Sequence, residues 1–384
     1  MSPLVTQTGH TKFAIPEIHD NKGLLGTGEA PQLQRAILLA CSGTWLSRLS
    51  PSGWEAAMLR RDLLKAIGGA AILPARANAQ QRSVPHIGVL WHAGSAEEEA
   101  IYLAALQQGL TGLGYIDGKT VSLDHRFPNE QPERFAKLAA ELVALKVDIL
   151  VAVTRPAALA AQQATSKIPI VFVVVADPVG TKLVNSLARP GGNITGLTNI
   201  ATELSAKRLA LFKEAFPRMT SVALLVNAND TQGTVPYLSE TKLAATALGL
   251  DVQPVEVRSI SDFEQACDKI VEGRFEGIVI GPDGLFFQGR ATIAQLALKR
   301  RLPLMMFSRE TLQAGALMSY GPDVRAIFRR TAFYIDKIVK GEKPVDLPVE
   351  QPTKFDFLIN LATAKALGVE LDPLLLTRAD EVIE

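Results

Sequence analysis

From His86 onward the chain alternates short apolar runs with amphipathic helical stretches, and this alternation restricts the fold more than any other feature of the sequence. Val147–Val153 and Pro169–Val175 are nearly unbroken runs of Val, Ile and other apolar residues. A strand with one face in water would alternate, so these runs predict parallel strands covered on both sides. Further strands are predicted at His86–Trp91 and Val121–Arg126, with helices at Glu98–Leu113 and Glu133–Leu145 between them. After Gly196-Leu197-Thr198 the programme restarts, with a helix at Ala206–Ala215 and strands at Ser221–Val226, Val252–Val257, Gly277–Ile280 and Pro303–Phe307. Ser166-Lys167-Ile168-Pro169-Ile170-Val171-Phe172 in the first half is echoed by Arg300-Arg301-Leu302-Pro303-Leu304-Met305-Met306-Phe307 in the second. The expectation is an α/β fold of two related, doubly wound parallel-sheet lobes. A single long sheet is the rival arrangement.

The N-terminal part follows other rules. Residues 58–80, MLRRDLLKAIGGAAILPARANAQ, have a charged start (Arg60, Arg61, Lys65), a weakly apolar middle and the small-residue exit Ala77-Asn78-Ala79. This is the order of an export signal, cleaved before Gln80. Arg60-Arg61-Asp62-Leu63-Leu64-Lys65 is similar to the twin-arginine pattern, so 58–79 is expected to be a signal peptide of that type and the mature chain to be periplasmic. Its apolar run of about ten residues is too short for a bilayer core of about 30 Å. Residues 1–57 show no sustained period, and the patch Ala36–Cys41 is too short for a lipoprotein signal. They are expected to be an over-extended, non-native N-terminus, with Met58 the true start.

Composition excludes several function classes. The chain is 47% apolar and 21% charged with net charge +1, so it lacks the basic face that nucleic acid selects. Only Cys267 follows the signal segment, which leaves no intramolecular disulfide and predicts a buried, inert thiol. There is no G-x-S-x-G, P-loop, H-E-x-x-H or C-x-x-C. His86, His92 and His125 have no metal-ligand spacing, and Glu97-Glu98-Glu99 is expected to be a solvated helix start. Gly109, Gly112 and Gly114 end a helix instead of following a strand, which argues against a dinucleotide fingerprint. Neither cofactor nor metal is expected.

Open parallel sheets bind ligands beyond the carboxyl ends of their strands, so the residues there are the candidate site. The first strand leads to Ser95, which with Glu98 forms a possible capping box, and the third to Thr154-Arg155-Pro156. The fourth leads to Asp177-Pro178, either a ligand carboxylate or plain turn chemistry. In the second half the corresponding ends are Asn227–Thr231, Gly281-Pro282-Asp283-Gly284 followed by Phe286-Phe287, and Ser308-Arg309-Glu310. Two carboxylates facing each other across a cleft, with helix N-termini for anions, would hold a zwitterion.

Several collinear stretches carry a family resemblance. They are Ile168–Phe172 leading to Ala176-Asp177-Pro178-Val179, Arg189-Pro190-Gly191-Gly192-Asn193-Ile194-Thr195-Gly196, Leu317-Met318-Ser319-Tyr320-Gly321-Pro322, Lys340-Gly341-Glu342-Lys343-Pro344 and Gln351-Pro352-Thr353-Lys354-Phe355. With these the chain resembles the ABC-transporter substrate-binding proteins that include tryptophan- and tyrosine-binding members, from about His86 to the end. The resemblance implies a periplasmic binding protein-like type I fold, lobe 1 being 84–198 plus about 318–345 and lobe 2 199–317 plus about 346–384, joined by hinge crossovers near Thr198, Ser308–Ser319 and Val345–Thr353. It also implies a non-catalytic, monomeric receptor that binds a small zwitterionic or carboxylate solute and delivers it to a cognate permease and ATPase. Carried over by position, the pocket falls at Ser95, Thr154, Arg155, Asp177, Asn227, Asp283 and Tyr320. Arg155 departs from the pattern, standing where relatives commonly have a small hydroxyl residue, and a guanidinium facing the cleft would favour a ligand carboxylate. A sensory module of the same fold and an α/β enzyme are the rivals; the first needs an effector segment and the second a catalytic set, and neither is visible.

Overall fold

Parallel strands buried on both faces organise residues 84–384, the part of the chain that the computed structural model describes. The expected signal peptide at 58–79 and the expected non-native stretch at 1–57 lie outside the described residues. The first lobe runs β1 (His86–Leu90), α1 (Ala100–Gly112), β2 (Ser122–Arg126), α2 (Pro132–Ala144), β3 (Ile149–Val153), α3 (Arg155–Ala164), β4 (Ile170–Val175), β5 (Ile194–Thr198). The second runs α4 (Ser205–Ala215), β6 (Ser221–Asn227), α5 (Thr231–Leu248), β7 (Asp251–Val257), α6 (Phe263–Glu272), β8 (Ile278–Ile280), α7 (Gly284–Gln288), α8 (Arg290–Lys299), β9 (Leu304–Met306), α9 (Arg309–Gln313), β10 (Met318–Pro322). The chain then returns for α10 (Val324–Val339) and ends with β11 (Phe355–Asn360), α11 (Leu361–Leu367), α12 (Pro373–Thr377) and β12 (Glu381–Ile383).

Sheet order is β2-β1-β3-β4-β5 in the first lobe and β12-β11-β10-β9-β8-β6-β7 in the second, so there are two sheets and not one. Every pairing is parallel except β10 with β11. The period of two divides each strand between two cores. In β4, Ile170, Phe172 and Val175 pack with Leu138, Leu142 and Ala158 of α2 and α3. Val171 and Val173 face the other way, with Leu106, Leu110 and Phe328. Sheet 2 repeats the division, Leu225, Ile278, Ile280 and Met306 facing one core and Val222, Leu224, Val279 and Met305 the other. A bulge between Val173 and Val175, with Val174 at φ 61°, interrupts the β4–β5 ladder beside the cleft.

The strand assignments hold within about two residues, but the lobe boundaries differ from expectation. Met318–Pro322, expected in lobe 1, pairs with β9 and β11 inside sheet 2. The segment Ser308–Ser319, expected as a crossover, is occupied by α9 and the start of β10. The chain crosses at Thr198–Leu204, at Pro322–Val324, and between 350 and 355. Residues 347–350 still belong with lobe 1: Leu347 O accepts from Thr195 Oγ1 at 2.7 Å and Glu350 O from Thr198 N at 3.0 Å. The exchanged part is thus α10 and the segment after it to about 350, held there because Ile327, Phe328 and Ile335 of α10 complete the core against α1.

Gly109 permits that packing. A Cβ at 109 would lie 2.4 Å from the Arg329 carbonyl oxygen of α10, whereas one at Gly112 would meet nothing within 4 Å. Gly109→Ala is expected to force the helices apart and cost about 1–3 kcal/mol, while Gly112→Ala should be neutral or stabilising by up to about 1 kcal/mol. Urea denaturation of the two variants checks the contrast.

Candidate functional site

The carboxyl ends of β1, β3, β6 and β8 converge on a cavity of about 130 Å³ between the sheets. Of the residues expected there, Thr154, Arg155, Asn227 and Asp283 line it. Thr154 precedes α3 at φ 73°, ψ 168°, a strained conformation for a β-branched residue, and its Oγ1 is buried without a partner. No side chain caps α3, so its first amides remain available to an anion. Arg155 is 7% exposed and turns inward. It pairs with Asp230, not with Asp177, and so ties lobe 1 to the start of α5 in lobe 2. Burial pushes its pKa down against the pull of the Asp283 and Asp177 carboxylates. Gly233 makes room for it, since a Cβ there would sit 2.3 Å from the guanidinium.

Asp283 ends the loop after β8 and caps α7 by accepting from Leu285 N at 2.9 Å. Asn227 Nδ2 donates to both of its oxygens at 3.2 Å. Burial, with the Glu130 carboxylate nearby, pushes the Asp283 pKa up to about 6. The carboxylate is therefore mostly ionised at neutral pH, with Arg155 acting on it through space but no cation bonded to it.

Ser95, Asp177 and Tyr320 are not on the cavity wall, and local chemistry engages each of them. Ser95 Oγ lies 3.5 Å from Glu98 N, but α1 begins only at Ala100, so the expected capping box does not cap it. Asp177 closes its own turn, accepting from Gly180 N at 2.8 Å. Tyr320 lies against Phe355, and its carbonyl accepts from Arg208 Nε at 2.8 Å.

Sequence reasoning missed a second group of residues, some on the wall (His92, Tyr102, Glu130 and Phe287) and others behind or beside it. Glu99, expected to be solvated with Glu97 and Glu98, is 1% exposed and faces His92, whose Nε2 is 3.0 Å from its Oε1. His92 Nδ1 meets Glu130 Oε1 at 2.8 Å. Burial alone would lower the His92 pKa, but the Glu99 charge and the bonds to Glu130 and Glu99 outweigh it and hold the pKa well above the ordinary range. Only the position of His92, two residues beyond the end of β1, could have flagged it. Tyr102 stacks on Phe287 of lobe 2 at 5.0 Å and on Phe328 of α10 at 4.8 Å. Gln288 Nε2 donates across the cleft to Glu98 at 3.0 Å and Asn129 at 2.8 Å. No cluster among the described residues is arranged to hold a metal ion.

The expected family can be set against this geometry. Residues 96–383 match the family described as ABC transporter substrate binding protein. The chain belongs to that family. The tyrosine-binding protein of Clostridioides difficile (strain R20291) is 25% identical over 263 residues, 68% of this chain and 75% of that protein. Among solved structures, a conserved domain protein from Vibrio cholerae is 27% identical with a TM-score of 0.73, covering 78% of this chain and 100% of its own. The ABC domain in complex with L-Trp from Streptococcus pneumoniae is 26% identical with a TM-score of 0.72, over the same 78% and 100%. The fold is thus periplasmic binding protein-like type I, and the chain is a substrate-binding protein, not an enzyme. Substrate-binding proteins of this family are extracellular or periplasmic. No helix among the described residues is long and apolar enough to cross a membrane.

The His92 cluster gives a pH signature. A His pKa raised by folding contributes stability that is complete below about pH 6.5 and is lost as pH rises through the raised value. Chemical-shift titration should show His92 holding its proton to a pH above the ordinary histidine range, with His125, lowered by its burial, titrating below that range. Stability should fall over the interval in which His92 deprotonates, and Glu99→Gln should shift that interval to lower pH.

Proposed function

We propose that this chain is the solute receptor of an importer, periplasmic, and that it closes on a zwitterionic amino acid and delivers it to a permease and ATPase. One observation carries this reading: an uncapped helix start bearing Arg155 and a cation-deficient Asp283 face one cavity from opposite lobes. The solute carboxylate is placed at Arg155 and the first amides of α3, and the ammonium at Asp283. Tyr102, Phe287 and Phe328 offer the side chain an apolar, stacked surface. The tyrosine- and L-Trp-binding relatives support an aromatic amino acid as the first solute to try.

Because Asp230 already pairs with Arg155, a solute carboxylate approaches a guanidinium that is held in place and partly neutralised. Acidic groups outnumber cations on the wall, so the ammonium end is expected to dominate selectivity.

Calorimetry with L-tryptophan and L-tyrosine tests the reading. Stoichiometric binding without turnover is expected, and absence of binding across a panel of amino acids would contradict it. Asp283→Asn should weaken binding by about 1.5–3 kcal/mol with little change in the solute-free melting temperature. With the Asp283 pKa near 6, affinity should fall about tenfold from pH 7 to pH 5, as a proton competes with the ammonium. Arg155→Ser should lower affinity at least tenfold and flatten its salt dependence. Delivery is read by uptake of the bound amino acid in cells with and without the chain.

A further inference from the structure

Three polar atoms on the cavity wall are buried without a partner: Thr154 Oγ1, Arg155 Nε and the Tyr237 hydroxyl oxygen. The third stands beside a group that determines its direction. Tyr237 is 8% exposed and lies on α5 one turn beyond Gly233. Its ring is seated on Gly281, where a Cβ would fall 2.5 Å from it. Arg208 of α4 faces its oxygen; this guanidinium is wholly buried and has no carboxylate partner among the described residues. Arg208 Nε donates to Tyr320 O at 2.8 Å and Nη1 to Ala201 O at 3.1 Å, and Nη2 has no carbonyl or carboxylate partner, which leaves the Tyr237 oxygen as a further polar neighbour of the guanidinium.

Arginine carries five donors and no acceptor. An oxygen that faces a guanidinium turns a lone pair towards it, so the Tyr237 hydroxyl proton points away from Arg208. With the ring pinned on Gly281, the remaining direction is the cavity. A buried donor with nothing to receive its proton is destabilising in the empty protein and is resolved by an acceptor on a bound molecule.

We infer that the Tyr237 hydroxyl, oriented by Arg208, donates to an acceptor oxygen of the solute at the crossover end of the cavity, and so selects solutes that carry a carboxylate, carbonyl or hydroxyl oxygen there. Ala201 and Pro322, which mark two of the crossovers, line this end. The inference deepens the amino-acid reading and rests on it. Tyr237 is the contacting residue and Arg208 a positioning residue that also secures the crossover beside Ala201.

The test is equilibrium dialysis against an equimolar mixture of the common L-amino acids, read by mass spectrometry, with wild type and Tyr237→Phe side by side. The variant is expected to lose at least tenfold in affinity for the amino acid that wild type retains. Its solute-free melting temperature should stay unchanged or rise, because an unpartnered oxygen has left the interior. Equal affinity overturns the inference, and so does a loss of affinity accompanied by a lower solute-free melting temperature, which would assign the hydroxyl to the fold. Arg208→Lys should weaken binding in the presence of Tyr237 and not in the Tyr237→Phe background; an additive loss would overturn its positioning role. Should wild type retain no amino acid, the amino-acid reading falls by itself, and both proteins are then dialysed against a small-molecule cell extract. Equal retention there, or none by either protein, overturns the Tyr237 assignment.

Discussion

Parallel strands can be joined only by crossovers that pass over a face of the sheet, so every strand in such a sheet delivers its carboxyl end to the same edge. The rest of this structure depends on that constraint. It brings His92 and Thr154-Arg155 to one side of the cleft and Asn227 and Asp283 to the other, from positions scattered over the sequence. Glycines stand where the sides meet most closely. Gly233 lies against the Arg155 guanidinium and Gly284 against Glu130 and His92, positions at which any Cβ would intrude.

The same edge concentrates charge in a place with little water. Arg155 and His92 have carboxylate partners, whereas Asp283 has only amide donors and Arg208 only carbonyls and tyrosine oxygens. Ionised groups that are buried and incompletely compensated are costly, and the raised Asp283 pKa is the direct sign of that cost. A molecule with an ammonium and acceptor oxygens supplies what these groups lack. On the proposed reading, affinity comes from relieving that deficit, and closure follows because the two ends of the solute would belong to different lobes.

What the sequence made legible was local. The strands around Val147–Val153 and Pro169–Val175 declared themselves because burial on both faces leaves no polar positions. That Thr154, Arg155, Asn227 and Asp283 line the cavity was legible because strand ends in a parallel sheet have a known direction. The allocation of Met318–Pro322 was not, since a buried strand looks alike in either lobe and only its partners, β9 and β11, decide. Ion pairs between distant residues were equally hidden: nothing near Glu99 announces His92 as its partner, and nothing near Arg155 announces Asp230. Tyr237 and Arg208 lie inside helices, where no strand-end rule applies. Ser95 and Asp177 lie off the cavity wall, each with a side-chain contact inside its own turn that the sequence alone did not weigh against a ligand role.

The central claim is that one small solute joins the two lobes. In a Cys41→Ser background, spin labels at Lys137→Cys on α2 and Lys242→Cys on α5, both exposed and on different lobes, report the distance between them, with native Cys267 buried. Pulsed electron resonance without solute should give a broad or displaced distribution, and saturation with the retained amino acid should collapse it to the single distance of the present structure. An identical distribution with and without bound solute would contradict the account.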